Sequence, residues 1–140
     1  MLYSILIYGS EAHVAGWSPE EQSEVMGRHA QLRRGLTEAG RLGPVMRLTP
    51  EGSKLVRRYK DRQYVTDGPY AETKEQLMGI YVIDCPSLND AIAATELLEF
   101  ETGVFEIRPV TTLEKGSVAD KIDVNCPNGP RSSVSGAQAP

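Results

Sequence analysis

Asp67-Gly68-Pro69-Tyr70-Ala71-Glu72-Thr73-Lys74-Glu75 lies between two strand-like runs, Arg62 to Thr66 before it and Met78 to Cys85 after it. Its reading decides how the strands on either side are ordered. Asp-Gly-Pro ends any helix or strand, because Asp bonds its own backbone, Gly accepts positive φ, and Pro fixes φ while removing a donor. The residues that follow put Glu72, Lys74 and Glu75 on a connection that is stiff at its base. Two carboxylates and an ammonium so held fit the rim of a site better than a plain spacer.

Working back toward the N-terminus, Lys54 to Tyr59 and Arg62 to Thr66 flank Lys60-Asp61, the pattern of a hairpin with a two-residue turn. Leu55, Arg57 and Tyr59 share one face and Val56 and Arg58 the other, so the hairpin is expected to be half exposed. Val45 to Leu48 reads as a short strand after Gly43-Pro44, ending at the turn Pro50-Glu51-Gly52. Ser18-Pro19-Glu20-Glu21 opens a helix: Ser at the N-cap, Pro at the first helical position and Glu placed to complete a capping box. That helix is expected to run to about Ala39, with Gly40 as its stop. Its apolar stripe is Val25, His29, Leu32, Leu36 and Ala39, which turns His29 toward the core and leaves Arg28, Arg33, Arg34 and Glu38 on the wet face. Before it, Gly9 to Trp17 is a loop holding His13 and the single Trp, and Leu2 to Tyr8 is an apolar, β-forming run suited to an interior strand.

Working forward, Met78 to Cys85 is a second central strand, stopped by Pro86. Ser87-Leu88-Asn89-Asp90 caps a second helix with the stripe Leu88, Ala91, Ile92, Thr95 and Leu98. Gly103 breaks it, and Val104 to Val110 is the last strand, with Pro109 near its end. The order predicts an α+β fold: a ferredoxin-like βαβ-βαβ arrangement with an inserted β-hairpin, both helices on one face of an antiparallel sheet. The other face is then left for a second copy, which predicts a homodimer. Residues 1–113 form the domain; residues 114–140, rich in Gly, Ser, Pro and Asn, are expected to be a flexible tail.

A chain of 140 residues with 40% hydrophobic and 24% charged residues has the composition of one soluble globular domain. A net charge of −4, with its basic residues scattered, argues against direct nucleic-acid or membrane-surface binding. Two cysteines, Cys85 and Cys126, make no disulfide framework, which fits a reduced, cytoplasmic setting. The N-terminal apolar run lacks a basic flank and a cleavage site and is too short to span a bilayer, so it reads as a strand.

The residues with chemistry are few. His29, facing inward, is the natural general acid or base near neutral pH, set against the plainer role of a core His bonded to a backbone carbonyl. Asp67 can orient that imidazole, or serve only its own turn. Tyr70, Glu72, Lys74, Tyr81 and Arg108 are the further candidates for contacting a small-molecule ligand; Tyr81 and Arg108 lie on strands that can face the enclosed side of a barrel, where an Arg clamps a carboxylate. Glu75 reads as solvated loop. His13 and Trp17 sit where a loop reaches a sheet edge. No Gly-rich phosphate loop, metal-ligand spacing or nucleophile motif is present, so neither a cofactor nor a metal is expected.

The run Asp67 to Leu77 followed by Gly79-Ile80-Tyr81-Val82-Ile83-Asp84 resembles the signature of the DGPF-type proteins in the YCII-related superfamily. Leu2 to Gly9, Ser18-Pro19-Glu20-Glu21 and Glu106-Ile107-Arg108-Pro109-Val110 are similar to the same pattern, which spans roughly residues 1 to 113. The resemblance implies a dimeric α/β barrel of ferredoxin-like subunits. It also implies, for the YciI-like branch, a catalytic His on the first helix, a position that falls on His29. Distant relatives include muconolactone-processing enzymes and a dehalogenase, and some DGPF-type members are associated with extracytoplasmic-function sigma factors. The motif's usual Phe is Tyr70 here, which adds a hydroxyl.

Two readings therefore stand side by side. One is a small-molecule enzyme using His29 and Asp67 for acid/base chemistry in a barrel pocket. The other is a non-catalytic dimeric module that binds a ligand or a partner, linked to sigma-factor regulation. A third gives the interaction to the tail.

Overall fold

The computed structural model describes residues 1–70 and 75–118. Its first strand, β1 (Leu2–Gly9), alternates half-buried and buried residues along its whole length. Tyr3, Ile5 and Ile7 point to one side, and that side faces the helices. β1 is flanked on both edges, by β5 (Gln76–Asp84) and β6 (Val104–Pro109), both antiparallel to it. β2 (Leu42–Arg47) pairs with the far edge of β5 and completes a sheet in the order β2-β5-β1-β6. With the hairpin set aside, this is the antiparallel strand order expected of a ferredoxin-like subunit.

Two helices cover the inner face. α2 (Pro19–Glu38) begins with the expected capping box: the Ser18 hydroxyl accepts from Glu21 N–H at 3.1 Å, and Ser18 N–H donates to the Glu21 carboxylate at 3.0 Å. It ends at Ala39, and Gly40 follows at φ +68°, a left-handed turn that Gly enters without a Cβ penalty. α3 (Leu88–Thr95) is capped by Ser87 and runs into a 3-10 turn, Glu96–Leu98. Ala91, Thr95 and Leu98 of the expected stripe are buried, whereas Leu88 and Ile92 stay about half exposed. Ile5, Ile83 and Leu98 are 0% exposed at the centre of the core. Burying each is worth about 1.5–3 kcal/mol.

Three features depart from the sequence reading. The loop after β1 contains a short helix, α1 (Glu11–Ala15), capped by the Ser10 hydroxyl, which accepts from His13 N–H. β2 begins at Leu42 and carries Gly43-Pro44 inside it, with a register shift between Leu42 and Val45. Because β2 is an edge strand, the donor that Pro44 lacks is not missed. The hairpin of β3 (Lys54–Tyr59) and β4 (Arg62–Asp67) has the expected turn but forms a two-stranded sheet of its own. It is more exposed than half: all six residues of β4 are exposed, and in β3 only Leu55 is partly covered.

Among the described residues the sheet does not close into a barrel. Its outer face carries Ser4, Leu6 and Tyr8 of β1 beside Ile80 and Val82 of β5, and among the described residues no helix covers it. Among the described residues no helix is long and apolar enough to cross a membrane. Most of the tail expected from residue 114, including Cys126, lies outside the described residues.

Candidate functional site

Helical spacing places Val25, His29 and Leu32 over the sheet, and Arg33 follows His29 one turn later on the same side. Opposite them stands Tyr81, in the middle of β5, paired in register with Ile5 on one side and Val45 on the other. Tyr81 is 2% exposed, yet its hydroxyl has two polar partners. It lies 2.8 Å from His29 Nδ1, and an Arg33 N–H donates to it at 3.3 Å.

The donor inventory allows a consistent placing of the protons. A guanidinium only donates, so the Tyr81 oxygen accepts from Arg33 and its own hydrogen is free to go to His29 Nδ1. In that arrangement the ring proton of neutral His29 sits on Nε2. Burial, helped by the positive charges of Arg33 and Arg28, pushes the His29 pKa down from 6.5 to about 4. His29 is therefore neutral at physiological pH and offers an N–H. Burial also raises the Tyr81 pKa, against the opposing pull of Arg33, so the phenol keeps its proton.

These side chains form part of the wall of a cavity of about 470 Å³ between α2 and the sheet, a size usual for ligand pockets. The rest of the wall is largely apolar: Ile7, Val14, Trp17, Val25, Met26, Val45, Met46, Met78 and Phe100 contribute to it. Gly79 forms its floor; a Cβ there would meet the Met46 carbonyl oxygen at 2.9 Å, so only Gly lets β2 and β5 approach this closely. Arg47 closes one side in a two-pronged ion pair with Glu11 of α1, at 2.9 and 2.8 Å. A smaller hollow of about 190 Å³ lies beyond Trp17, Val25 and Phe100, lined by His13, Glu21, Glu24, Arg28 and Glu101. There His13 Nε2 is 3.6 Å from Glu101, and an Arg28 N–H donates to the Glu99 carbonyl at 2.8 Å.

The structure brings together His29 and Tyr81, from the two candidate sets, but not Asp67. Asp67 ends β4, is exposed, and forms an ion pair with Lys54 across the hairpin. It is not among the residues lining the cavity. The partner of the imidazole is the Tyr81 phenol instead. Tyr70 is 77% exposed, with the Arg57 guanidinium 5.6 Å from its ring centre. Arg108 is on the outer face of the sheet, one residue beyond inward-facing Ile107, and pairs with Glu106 at 3.0 Å. It thus points away from Tyr81 and corrects the expectation that both serve one enclosed side. Glu72 and Lys74 lie outside the described residues. Arg33, assigned to the wet face by the stripe alone, belongs to the cavity wall; its spacing from His29 was the signal that could have found it.

A family model for the YCII-related domain matches residues 1–114. The chain is also similar to an uncharacterised protein of Rhizobium meliloti (strain 1021), 41% identical over 122 residues, an overlap that covers 84% of this chain and 98% of that one. On the extent of both matches, the chain is a member of the YCII-related domain family.

Proposed function

We propose that this YCII-related domain binds a small molecule in the cavity between α2 and the sheet, and that His29 exchanges a proton with it while Tyr81 holds the ring. The observation that carries this reading is the 2.8 Å contact between His29 Nδ1 and the Tyr81 hydroxyl at the wall of a ligand-sized cavity. A neutral imidazole whose Nδ1 accepts from the Tyr81 hydroxyl presents Nε2–H as a donor, suited to polarising a carbonyl or an enolate oxygen, and it passes that proton on only as Nδ1 takes the Tyr81 proton. Asp67, the partner first expected for His29, is left to the hairpin in this reading.

The reading extends to a homodimer in which the outer faces of two sheets meet. Leu6 and Ile80, partly exposed side by side, make an apolar centre there, a surface that gains from a partner. The Asp67-to-Glu75 motif supports placing the chain with the DGPF-type members.

The test is NMR detection of the His29 Hε1 resonance during a screen of small lactones, enones and phenols, followed by turnover assays on the compounds that bind. Binders are expected to move His29 and Tyr81 resonances and leave His13 unmoved, and turnover is expected to fall at least a hundredfold in His29→Gln. A screen in which compounds bind and are converted equally by His29→Gln would overturn the catalytic role.

A further inference from the structure

The charges around the cavity are unbalanced in a particular way. Of the two arginines in its wall, Arg47 is neutralised by both oxygens of Glu11. Arg33 is not: its one polar partner among the described residues is the neutral Tyr81 hydroxyl, and no carboxylate there lies within 4.0 Å of it. Among the described residues no Asp or Glu lines the cavity. The acidic side chains nearby, Glu21, Glu24 and Glu101, line the smaller hollow, with Arg28 and His13 among them.

We propose that the cavity takes a small, largely apolar molecule bearing one carboxylate, which Arg33 binds beside His29; this rests on the cavity being the ligand site. A guanidinium has five donors in a planar fork, and Arg33 commits one of them to Tyr81. The remainder match a carboxylate, the anion that a fork binds with two parallel bonds. A single uncompensated charge in an apolar wall selects a monoanion over a phosphate ester. The same arrangement explains how a weakly basic imidazole enters the chemistry. An anion on Arg33 cancels the positive field that helps hold His29 in its neutral form, so binding restores part of its basicity.

The experiment uses three matched straight-chain series, carboxylates, primary amides and primary amines of four to ten carbons, titrated at constant ionic strength into the full chain. The His29 Hε1 shift reports both binding and titration. In the wild type, the best carboxylate is expected to bind at least about tenfold more tightly than its amide, and the amine not at all. Arg33→Gln is expected to level acid and amide, and Arg33→Lys to restore part of the preference. The His29 midpoint is expected to rise with the carboxylate bound and to stay put with the amide. Equal affinity for acid and amide in the wild type would overturn the anion inference while leaving the ligand cavity standing. If no member of any series moves His29, both fall.

Discussion

The Nδ1 atom of His29 and the hydroxyl of Tyr81 are 2.8 Å apart although 52 residues separate them in the chain. The contact ties the midpoint of the long helix to the midpoint of a central strand, and Arg33 closes the set from the next helical turn. Polar groups at such depth stay because each has a partner.

The first expectation concerns protons. His29 titrates at about 4, with burial the larger cause and Arg33 the next. Arg33→Gln removes a repelling charge, so the midpoint rises, but it stays below 6.5 because burial remains. Folded His29 binds its proton less readily than the unfolded chain does. Stability is therefore lost as pH falls from about 6.5 toward 4 and changes little further, from this group, below that window. For a half-buried ring the loss is on the order of 1–2 kcal/mol after solvent screening. Urea denaturation at several pH values checks this, and His29→Gln is expected to flatten the slope across that window.

Tyr81→Phe keeps the ring that fills the core and deletes only the hydroxyl. It leaves His29 Nδ1 and one Arg33 N–H without their partner. The expected cost is about 1–2 kcal/mol in chemical denaturation, together with broadening of the His29 resonance as its ring loses its anchor. Wild-type stability and an unchanged His29 signal would contradict the hydrogen bond.

Asp67→Asn breaks only an exposed ion pair with Lys54. The effect on stability is expected to be under about 1 kcal/mol. The His29 midpoint is expected not to move, since Tyr81 and not Asp67 is its partner; NMR titration of the variant decides between the two.

The outer face of the sheet supplies a prediction about assembly. Leu6 lies there between Ile80 and Glu106 in register. Leu6→Glu is expected to convert a species of twice the chain mass into one of single mass in sedimentation velocity, with the circular dichroism spectrum unchanged. A wild type that sediments as a single chain would dismiss the dimer.

Local signals carried much of the fold to the reader of the sequence. The Ser18 capping box, the Lys60-Asp61 turn and the apolar runs of β1 and β5 each specify their element with neighbouring residues alone. α1 escaped because five residues offer too little periodicity to stand out from a loop, although the Ser10 cap was there to be read. The start of β2 was hidden by Gly43-Pro44, which break a strand in general and are harmless on an edge. The site was legible only in halves. His29 showed its inward face by helical spacing and Tyr81 its central strand, but their meeting depends on the register that sets Tyr81 beside Val45 and beneath α2. Asp67 looked like a partner because its motif is distinctive, and no local pattern tells whether a hairpin folds back over a pocket or stands apart from it.

The hairpin of β3 and β4 stands apart in a further sense. Among the described residues it is a ribbon whose two strands pair only with each other, whereas β1 is hydrogen-bonded along both edges. Two strands in water hold together marginally without a third. In the single chain its amide hydrogens thus exchange with deuterated solvent through small local openings, on a clock separate from that of the core, while those of β1 wait for the whole domain to unfold. The domain carries two stabilities, one for the body that holds the cavity and a lower one for the arm.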